Sequence, residues 1–210
     1  MSQIELTLER FFSKNPDVRE ARNKGLINRR ALARYIAEHE KIPIKQSEAL
    51  IMALRRHPQE SLKSKDLQHL IKNMRTSAKD NIAIICLKNS EAALEKLAQA
   101  VKSINHAPSE TFKIVQSSLS IKIFLDKSRA KQIKEIFDAK DIIEARDNIA
   151  EIDVIFPHDA IETRGIVSYV SAELAMNKIN VVELLTSTPE LLIYVDNADL
   201  LAAYEVIKSL

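Results

Sequence analysis

The chain has 210 residues, of which 46% are hydrophobic and only 5% aromatic, with no tryptophan and a formal net charge of +2. This composition is typical of a globular chain of one or two domains and argues against intrinsic disorder. The scarcity of aromatic rings argues against a stacking platform for carbohydrates or single-stranded nucleic acid.

The charge is distributed unevenly along the chain. Residues 1–78 contain 16 Lys and Arg against 9 Asp and Glu, a net charge of +7, whereas residues 79–210 contain 15 against 20, a net charge of −5. The chain begins MSQIELTLERFF, with acids where a secretory leader is apolar, and no apolar run approaches the roughly 18 residues that span a bilayer. We therefore expect a cytoplasmic protein with a basic head, an acidic body and no membrane segment.

The basic head contains the patterns of three short helices. Asn15-Pro16 suits a helix start, with Gly25 just past its end. Asn28 suits the N-cap of a second helix that ends near His39. Residues 45–57 predict a third helix, which Pro58 terminates. The apolar faces predicted for the second and third helices are Ala31, Leu32, Tyr35 and Ile36, and Ala49, Leu50, Ala53 and Leu54.

The second and third helices, joined by a brief turn, have the form of a helix-turn-helix, and we assign this domain to residues 1–72. In that arrangement the later helix enters the major groove of double-stranded DNA, and the positive charge supplies the phosphate contacts. The residues assigned to DNA contact are Arg29, Arg30, Lys45, Gln46, Arg55 and Arg56. The alternative is a small helical bundle with solvated Lys and Arg that binds a partner protein or forms a dimer.

The acidic body contains an internal repeat. Asp80-Asn81-Ile82-Ala83 recurs 67 residues later as Asp147-Asn148-Ile149-Ala150, and Asp126 closes a strand as Asp196 does 70 residues later. Both copies have the pattern strand, helix, strand, strand, helix. We assign residues 73–138 and 139–210 to two similar domains, each with its own sheet. The predicted strands are 82–87, 112–117 and 119–125, and 151–156, 180–185 and 191–195.

Each copy lacks a fourth strand after its last helix. Strand-like segments precede the two repeats at 74–78 and 142–146, the second followed by Asp147-Asn148 as a tight hairpin turn. A strand entering by such a hairpin fills the place of the fourth strand in a βαββαβ ferredoxin-like sheet, as a permuted edge. The alternative is that 142–146 completes the first copy and the second copy borrows an edge from another chain.

One of the two glycines, Gly165, lies at a helix start in the second copy, and Lys178-Ile179-Asn180-Val181 leads into the next strand. Together with LLIYVDNADLLAAYEVI, these residues resemble the ACT domain family, small ferredoxin-like modules that bind amino acids and regulate metabolism. With its helical head, the chain resembles predicted archaeal regulators of amino acid metabolism. The resemblance implies an α+β fold in which a helix-turn-helix-like domain precedes two tandem ferredoxin-like ACT domains.

The resemblance also implies an amino-acid site formed by Arg164, Gly165, Ile166, Asn180 and Val181. The physical reasoning is independent of the family, because a helix N-terminus offers unpaired N–H donors to a carboxylate and a glycine lets a ligand approach. The structural alternative is that Gly165 allows an unusual φ or tight packing, and that Asn180 caps a turn. The matching loop of the first copy, residues 88–91, has no glycine, so the sequence leaves open whether the first copy binds a ligand or serves only as a pairing surface.

No enzyme, cofactor or metal is expected. The five histidines lack metal-ligand spacing, no Gly-rich loop is present, and Asp159 and Glu162 have no catalytic partners. Cys86 is expected to be a small core residue. We therefore expect a ligand-responsive regulator, transcriptional by the first hypothesis. The alternative is a regulatory subunit that binds a biosynthetic enzyme through its head without DNA. A homodimer is expected in either case, since small open sheets leave edges to cover.

Overall fold

A computed structural model describes residues 2–57, 65–103 and 110–210. The chain divides into two units, Met1–Lys65 and Asp66–Leu210. The described helices of the first unit are α1 Gln3–Lys14, α2 Pro16–Asn23, α3 Arg29–His39 and α4 Ser47–Arg56, with a 3-10 turn Ile44–Gln46 before α4. The later elements are α5 Lys65–Asn73, β1 Arg75–Lys88, α6 Glu91–Ser103, β2 Phe112–Gln116, β3 Ser120–Asp126, α7 Lys127–Ile136, β4 Ile142–Ile155, α8 Ile166–Met176, β5 Val181–Ser187, β6 Glu190–Asp196 and α9 Leu200–Lys208.

Side-chain caps mark the starts of α1 and α3. Ser2 and Glu5 form a capping box at the start of α1. The Asn28 side chain accepts hydrogen bonds from the Arg30 and Ala31 amides, which confirms its predicted role. Asn15 precedes Pro16 as predicted, but it caps no helix with its side chain, which donates instead to the Phe11 carbonyl. Gly25 lies past the end of α2 with φ +73°, as predicted.

The helices of the head share one apolar core. α1 contributes Leu8, Phe11 and Phe12, and the remaining core residues are Leu32, Ala33, Ile36, Leu50, Ala53 and Leu54. The predicted faces were therefore mostly correct for α4 and wrong in part for α3. Ala31, Tyr35 and Ala49 are exposed. In α3 it is Ala33 rather than Ala31 that joins Leu32 and Ile36 in the core. The predicted end at Pro58 lies outside the described residues.

The second unit contains one antiparallel sheet of six strands, in the order β2-β3-β1-β4-β6-β5. The sequence predicted a separate sheet for each copy, and this is wrong, because β1 and β4 pair with each other along most of their length. Ile82 pairs with its own repeat equivalent, Ile149, so an approximate two-fold axis passes between these strands. The boundaries at 73–138 and 139–210 stay a prediction.

The hairpin predicted at Asp147-Asn148 is also wrong, because β4 runs unbroken through these residues. The preference of Asp-Asn for irregular backbone is met by bulges: the register with β1 shifts between Lys79 and Ile82 and again before Ile84. Asn81 accordingly has φ +55°. A turn signal and a bulge signal use the same residues, and only the distant partner strand distinguishes them.

The fourth strand of each copy comes from the other copy's long strand. Residues 142–146 pair with the second half of β1 and so complete the first copy, as the alternative proposed. Residues 75–79 pair with 151–155 and complete the second copy. The second copy therefore takes this strand from within the chain and not from another chain, and β2 and β5 form the two edges of the sheet.

The two faces of the sheet differ. On the outer face, one core lies beneath α6 and α7 and another beneath α8 and α9, and α5 adds Leu67 and Leu70 to the second of these. The opposite face, called the inner face below, carries a buried cluster supplied by strands alone: Ile82, Ile84, Phe124, Ile149, Leu192 and Tyr194. The sheet curls around this cluster, so that Lys122 of β3 bonds Glu183 of β5 although three strands lie between them.

Candidate functional site

The loop before α8 leaves a helix N-terminus open. After β4 the chain forms a 3-10 turn, His158–Glu162. The hydroxyl of Thr163, the next residue, donates to the Asp159 carbonyl within that turn. Gly165 then adopts φ +90° at the N-cap position, and no described side chain caps the helix. A side chain at Gly165 would meet no described atom within 4 Å, so the space beside the glycine is open. The left-handed backbone explains why glycine stands here.

The first amides of α8 have no partner within the helix. The first helical hydrogen bond runs from the Tyr169 amide to the Gly165 carbonyl at 2.8 Å, so the preceding amides point out of the helix end. Arg164 is exposed and forms no hydrogen bond or ion pair with any described residue. Ile166 is different, because its side chain is buried in the outer core and only its amide faces the loop. These groups together can attract and bind a carboxylate.

Asn180 and Val181 lie at the other end of α8. The helix ends at Met176, Lys178 follows with φ +61°, and Asn180 is exposed just before β5. Val181 is half-buried and packs against the outer core. Eleven helical residues span roughly 16 Å at 1.5 Å per residue, so one chain does not bring Gly165 and Asn180 together.

The corresponding loop of the first copy is closed by its own hydrogen bonds. The Asn89 side chain donates to the Ser117 carbonyl at 2.8 Å and accepts from Gln116 at 3.0 Å, which ties the loop to the β2–β3 turn. The Ser90 hydroxyl accepts from the Ala93 amide at 3.2 Å and so caps α6. At α6 a side chain therefore occupies one of the first amides, that of Ala93, whereas α8 has no such cap.

The inner face holds a charged cluster that was not predicted from the sequence. The buried Glu151 carboxylate accepts from Lys113 Nζ at 2.6 Å and from the Tyr194 hydroxyl at 2.7 Å. Burial, followed by the charge of Glu151, raises the pKa of Tyr194 far above its ordinary value, so the hydroxyl stays a donor. Burial, followed by the charge of Glu190, also raises the pKa of Asp153, whose Oδ1 has no hydrogen-bond partner among the described residues. The acids at alternate positions in EIDVIF were the available sequence signal.

All six residues assigned to DNA contact are exposed. Arg29 and Arg30 begin α3, whereas Lys45 and Gln46 lie in the 3-10 turn before α4, and Arg55 and Arg56 end α4. The last two pairs therefore lie roughly 15 Å apart along α4. The connection between α3 and the 3-10 turn comprises residues 40–43, a length that suits a helix-turn-helix.

Other candidate groups do not assemble into a site. Within residues 2–57, 65–103 and 110–210, no cluster of three His, Cys, Asp or Glu side chains is arranged to hold a metal ion, and His106 lies outside these ranges. Asp159 and Glu162 are exposed on the loop before α8. Cys86 is half-buried and lines a cavity on the inner face, so its assignment to the core was wrong. In the described chain, no helix has both the length and the apolar character needed to cross a membrane.

Comparisons with known proteins identify the fold. No protein-family model and no curated protein matches the sequence. The regulatory subunit of aspartate kinase from Thermus thermophilus, in its ligand-free form, superposes with a TM-score of 0.52 at 17% identity, over 64% of this chain and 94% of that subunit. Aspartate kinase from Clostridium acetobutylicum gives 0.52 at 16% identity, and the match spans 64% of this chain but only 34% of that enzyme. The regulatory subunit from Thermus flavus gives 0.50 at 16% identity, over 64% of this chain and 95% of that subunit. The chain therefore has a mixed helix and sheet fold with a curled antiparallel sheet like that of these regulatory subunits.

Proposed function

We propose that this protein is a ligand-responsive regulator that binds an amino acid, or a similar small carboxylate, at the start of α8. The observation that carries the proposal is the uncapped N-terminus of α8, which opens beside an exposed Gly165 with room for a ligand. Arg164 adds a cation to the amide donors. The fold shared with regulatory subunits of aspartate kinase, and the resemblance of the second copy to ACT domains, support the same function.

We further propose that a second copy of the chain completes the site. Gly165 and Asn180 flank opposite ends of α8, so packing two α8 helices antiparallel around a two-fold axis would place Gly165 of one copy beside Asn180 of the other. The exposed face of α8 suits such packing, because it is uncharged and small residues allow close approach. Its residues are Val167, Ser168, Ala172, Ala175 and Met176.

Calorimetric titration of the full chain with the common amino acids tests the site. We expect one of them to bind, and Asn180→Ala to weaken it by about 10- to 100-fold, as for a lost hydrogen bond to a charged ligand. Asn177→Ala is the matched control, since Asn177 is also exposed but its side chain donates only to the Glu173 carbonyl of its own helix. An absence of binding across the panel would remove the sensing function.

Mixing two defective variants tests whether the site is shared between copies. Arg164→Gln and Asn180→Ala each damage every site of a homodimer. A mixed dimer regains one intact site per pair if Arg164 and Asn180 act from different copies. Recovery of binding on mixing supports the shared site, whereas no recovery contradicts it.

We propose that the head transmits the effect of the ligand to a target. The exposed basic residues of α3 and α4, which include Arg29, Arg30, Arg55 and Arg56, support double-stranded DNA as the target. A biosynthetic enzyme fits about equally well, because the superposed regulatory subunits belong to aspartate kinase. A shift assay with duplex DNA at increasing salt separates the two, since phosphate contacts predict binding that collapses with salt. Retention of an enzyme without DNA affinity would favour the second.

A further inference from the structure

A small cavity lies on the inner face, away from the loop at α8. Its volume is about 80 Å³, and its floor is formed by Ile84 and Cys86 of β1 and Val182 of β5. The cavity exists because the sheet curls, which brings the start of β5 toward β1 across β4 and β6. The floor is therefore apolar apart from one half-buried thiol.

The rim of this cavity carries two cations and two carboxylates. Lys122 bonds Glu183 Oε1, and Arg146 Nε donates to Glu144 Oε1 at 2.5 Å. Each ion pair uses a single oxygen of its carboxylate. Among the described residues, the other carboxylate oxygen of Glu144 and of Glu183, and the two terminal guanidinium nitrogens of Arg146, have no hydrogen-bond partner. A ligand can thus add bonds at the rim without breaking either pair.

The two-fold relation between the copies shows how this part of the inner face differs from its counterpart in the other half. Ile84 and Cys86 correspond, 67 residues later, to Glu151 and Asp153. At the equivalent place in the other half, the Glu151 carboxylate is already bonded by Lys113 and by Tyr194. Where the second copy supplies its own buried charges, the first copy leaves an apolar floor beneath a charged rim.

The geometry points to this cavity as a second binding site, for a small zwitterion such as an α-amino acid with a short side chain. The rim is electrically balanced, so it suits a ligand with one carboxylate and one ammonium group better than a lone anion or cation. Arg146 and Lys122 can bind the carboxylate, and Glu144 and Glu183 the ammonium. The volume excludes a nucleotide or another large cofactor. This inference does not depend on the site at Gly165.

Cys86 provides a reporter for the site, because it is the single cysteine of the chain and lines the cavity floor. The experiment measures the rate at which a thiol reagent labels Cys86 in the full-length protein, with glycine, alanine or serine present. Propionate and ethylamine, which each carry one of the two charges, are the matched ligand controls. At ten times the Kd we expect labelling about tenfold slower, because roughly one molecule in eleven is then unliganded. Propionate and ethylamine should protect little.

Two variants assign the protection to this cavity. Arg146→Gln should abolish it, whereas Arg129→Gln, which removes a cation paired with Glu110 elsewhere, should leave it unchanged. Protection must also persist in Asn180→Ala, and its loss there would place the ligand at α8 and overturn the inference. Equal protection by propionate alone, or none by any amino acid, would overturn it as well. Calorimetry on Asn180→Ala, with and without Arg146→Gln, gives the same answer if the thiol is unreactive.

Discussion

Replacing Lys113 by methionine should destabilise the sheet unit much more than replacing Lys122 by methionine. Both lysines lie on strands of the first copy, and both form ion pairs with glutamates of the second copy across the inner face. The pairs differ in burial. The Glu151 side chain is only 8% exposed, whereas the side chains of Lys122 and Glu183 are 32% and 25% exposed. The comparison therefore isolates the effect of burial on an ion pair.

The expected magnitudes follow from this difference. Removing one partner of a buried pair costs about 3–5 kcal/mol, because the other charge is left without compensation. Lys113 is 31% exposed, so water can reach the vacated side, and we therefore expect a cost just below that range, about 2–3 kcal/mol. The Lys122 pair lies in the range of surface pairs, about 0–1 kcal/mol. For a unit of this size, the Lys113 variant should melt roughly 5–10 °C earlier.

Hydrogen exchange of the β4 amides, combined with urea unfolding, measures these changes. The exchange reports on the sheet unit alone, which matters because two compact units need not unfold in one step. Adding Glu151→Gln to the Lys113 variant should recover stability, since the amide keeps an acceptor for Tyr194 without a buried charge. Equal effects of the two lysine variants, within about 0.5 kcal/mol, would refute the reasoning, as would the absence of recovery.

Three further substitutions test other parts of the structure. Asp153→Asn should raise the Tm at pH 7 but not at pH 3. The fold raises the pKa of Asp153, so the ionised carboxylate opposes folding at pH values above the unfolded pKa of about 3.9. A gain in Tm that persists at pH 3 contradicts this reasoning. Arg22→Met should destabilise the head by about 2–4 kcal/mol in thermal unfolding, because the buried Arg22 guanidinium donates at 2.8 Å to the carbonyls of Leu54 and His57. Arg29 is exposed, so Arg29→Met should cost little. Gly165→Ala should lower the free energy of unfolding by about 1 kcal/mol through the φ of +90° alone, because no described neighbour clashes with the added methyl group. A loss above about 3 kcal/mol in urea unfolding would contradict this and indicate a close contact at Gly165.

The repeat and most of its strands could be predicted from the sequence, but their pairing could not. Alternating β-branched residues mark a strand locally, and the recurrence of Asp-Asn-Ile-Ala marks two copies. Which strand pairs with which is a long-range property. The register of Ile82 opposite Ile149 depends on the whole of β1 and β4, and no local pattern distinguishes it from a hairpin.

Helix α5 was not predicted, although its sequence carried a usable pattern. Leu67, Leu70 and Ile71 follow the spacing of one helical face, and the first two are fully buried against the outer core of the second copy. The predicted head extends through residue 72 and so includes most of this helix. Its burial instead places it with the sheet, in the unit that begins at Asp66.

The candidate site was predicted only in part, because local patterns in the sequence indicate helix starts but not long-range contacts. The open glycine at a helix start follows from local chemistry, and the structure places Gly165 at an uncapped, exposed N-terminus. The sequence assigned Ile166 to the ligand site without separating its backbone from its side chain, and the side chain lies in the core. The inner-face cluster around Glu151 could not be predicted, because it depends on long-range pairing. Tyr194 lies opposite Glu151 through the register of β4 and β6, and Lys113 reaches Glu151 from β2 through the curl of the sheet.

The two-fold axis within the chain explains how one duplicated unit came to have unlike halves. In a dimer of identical copies, every contact across the axis must serve both partners, so a lysine that meets a glutamate requires both residues on each copy. Within one chain the halves can differ, and here Lys113 and Lys122 of the first half meet Glu151 and Glu183 of the second. The same freedom lets the loop at Asn89 close while the loop at Gly165 stays open. Among the described α-helices, α8 is the one that begins at a glycine, and a pair of chains offers two such helix starts that are equivalent by symmetry.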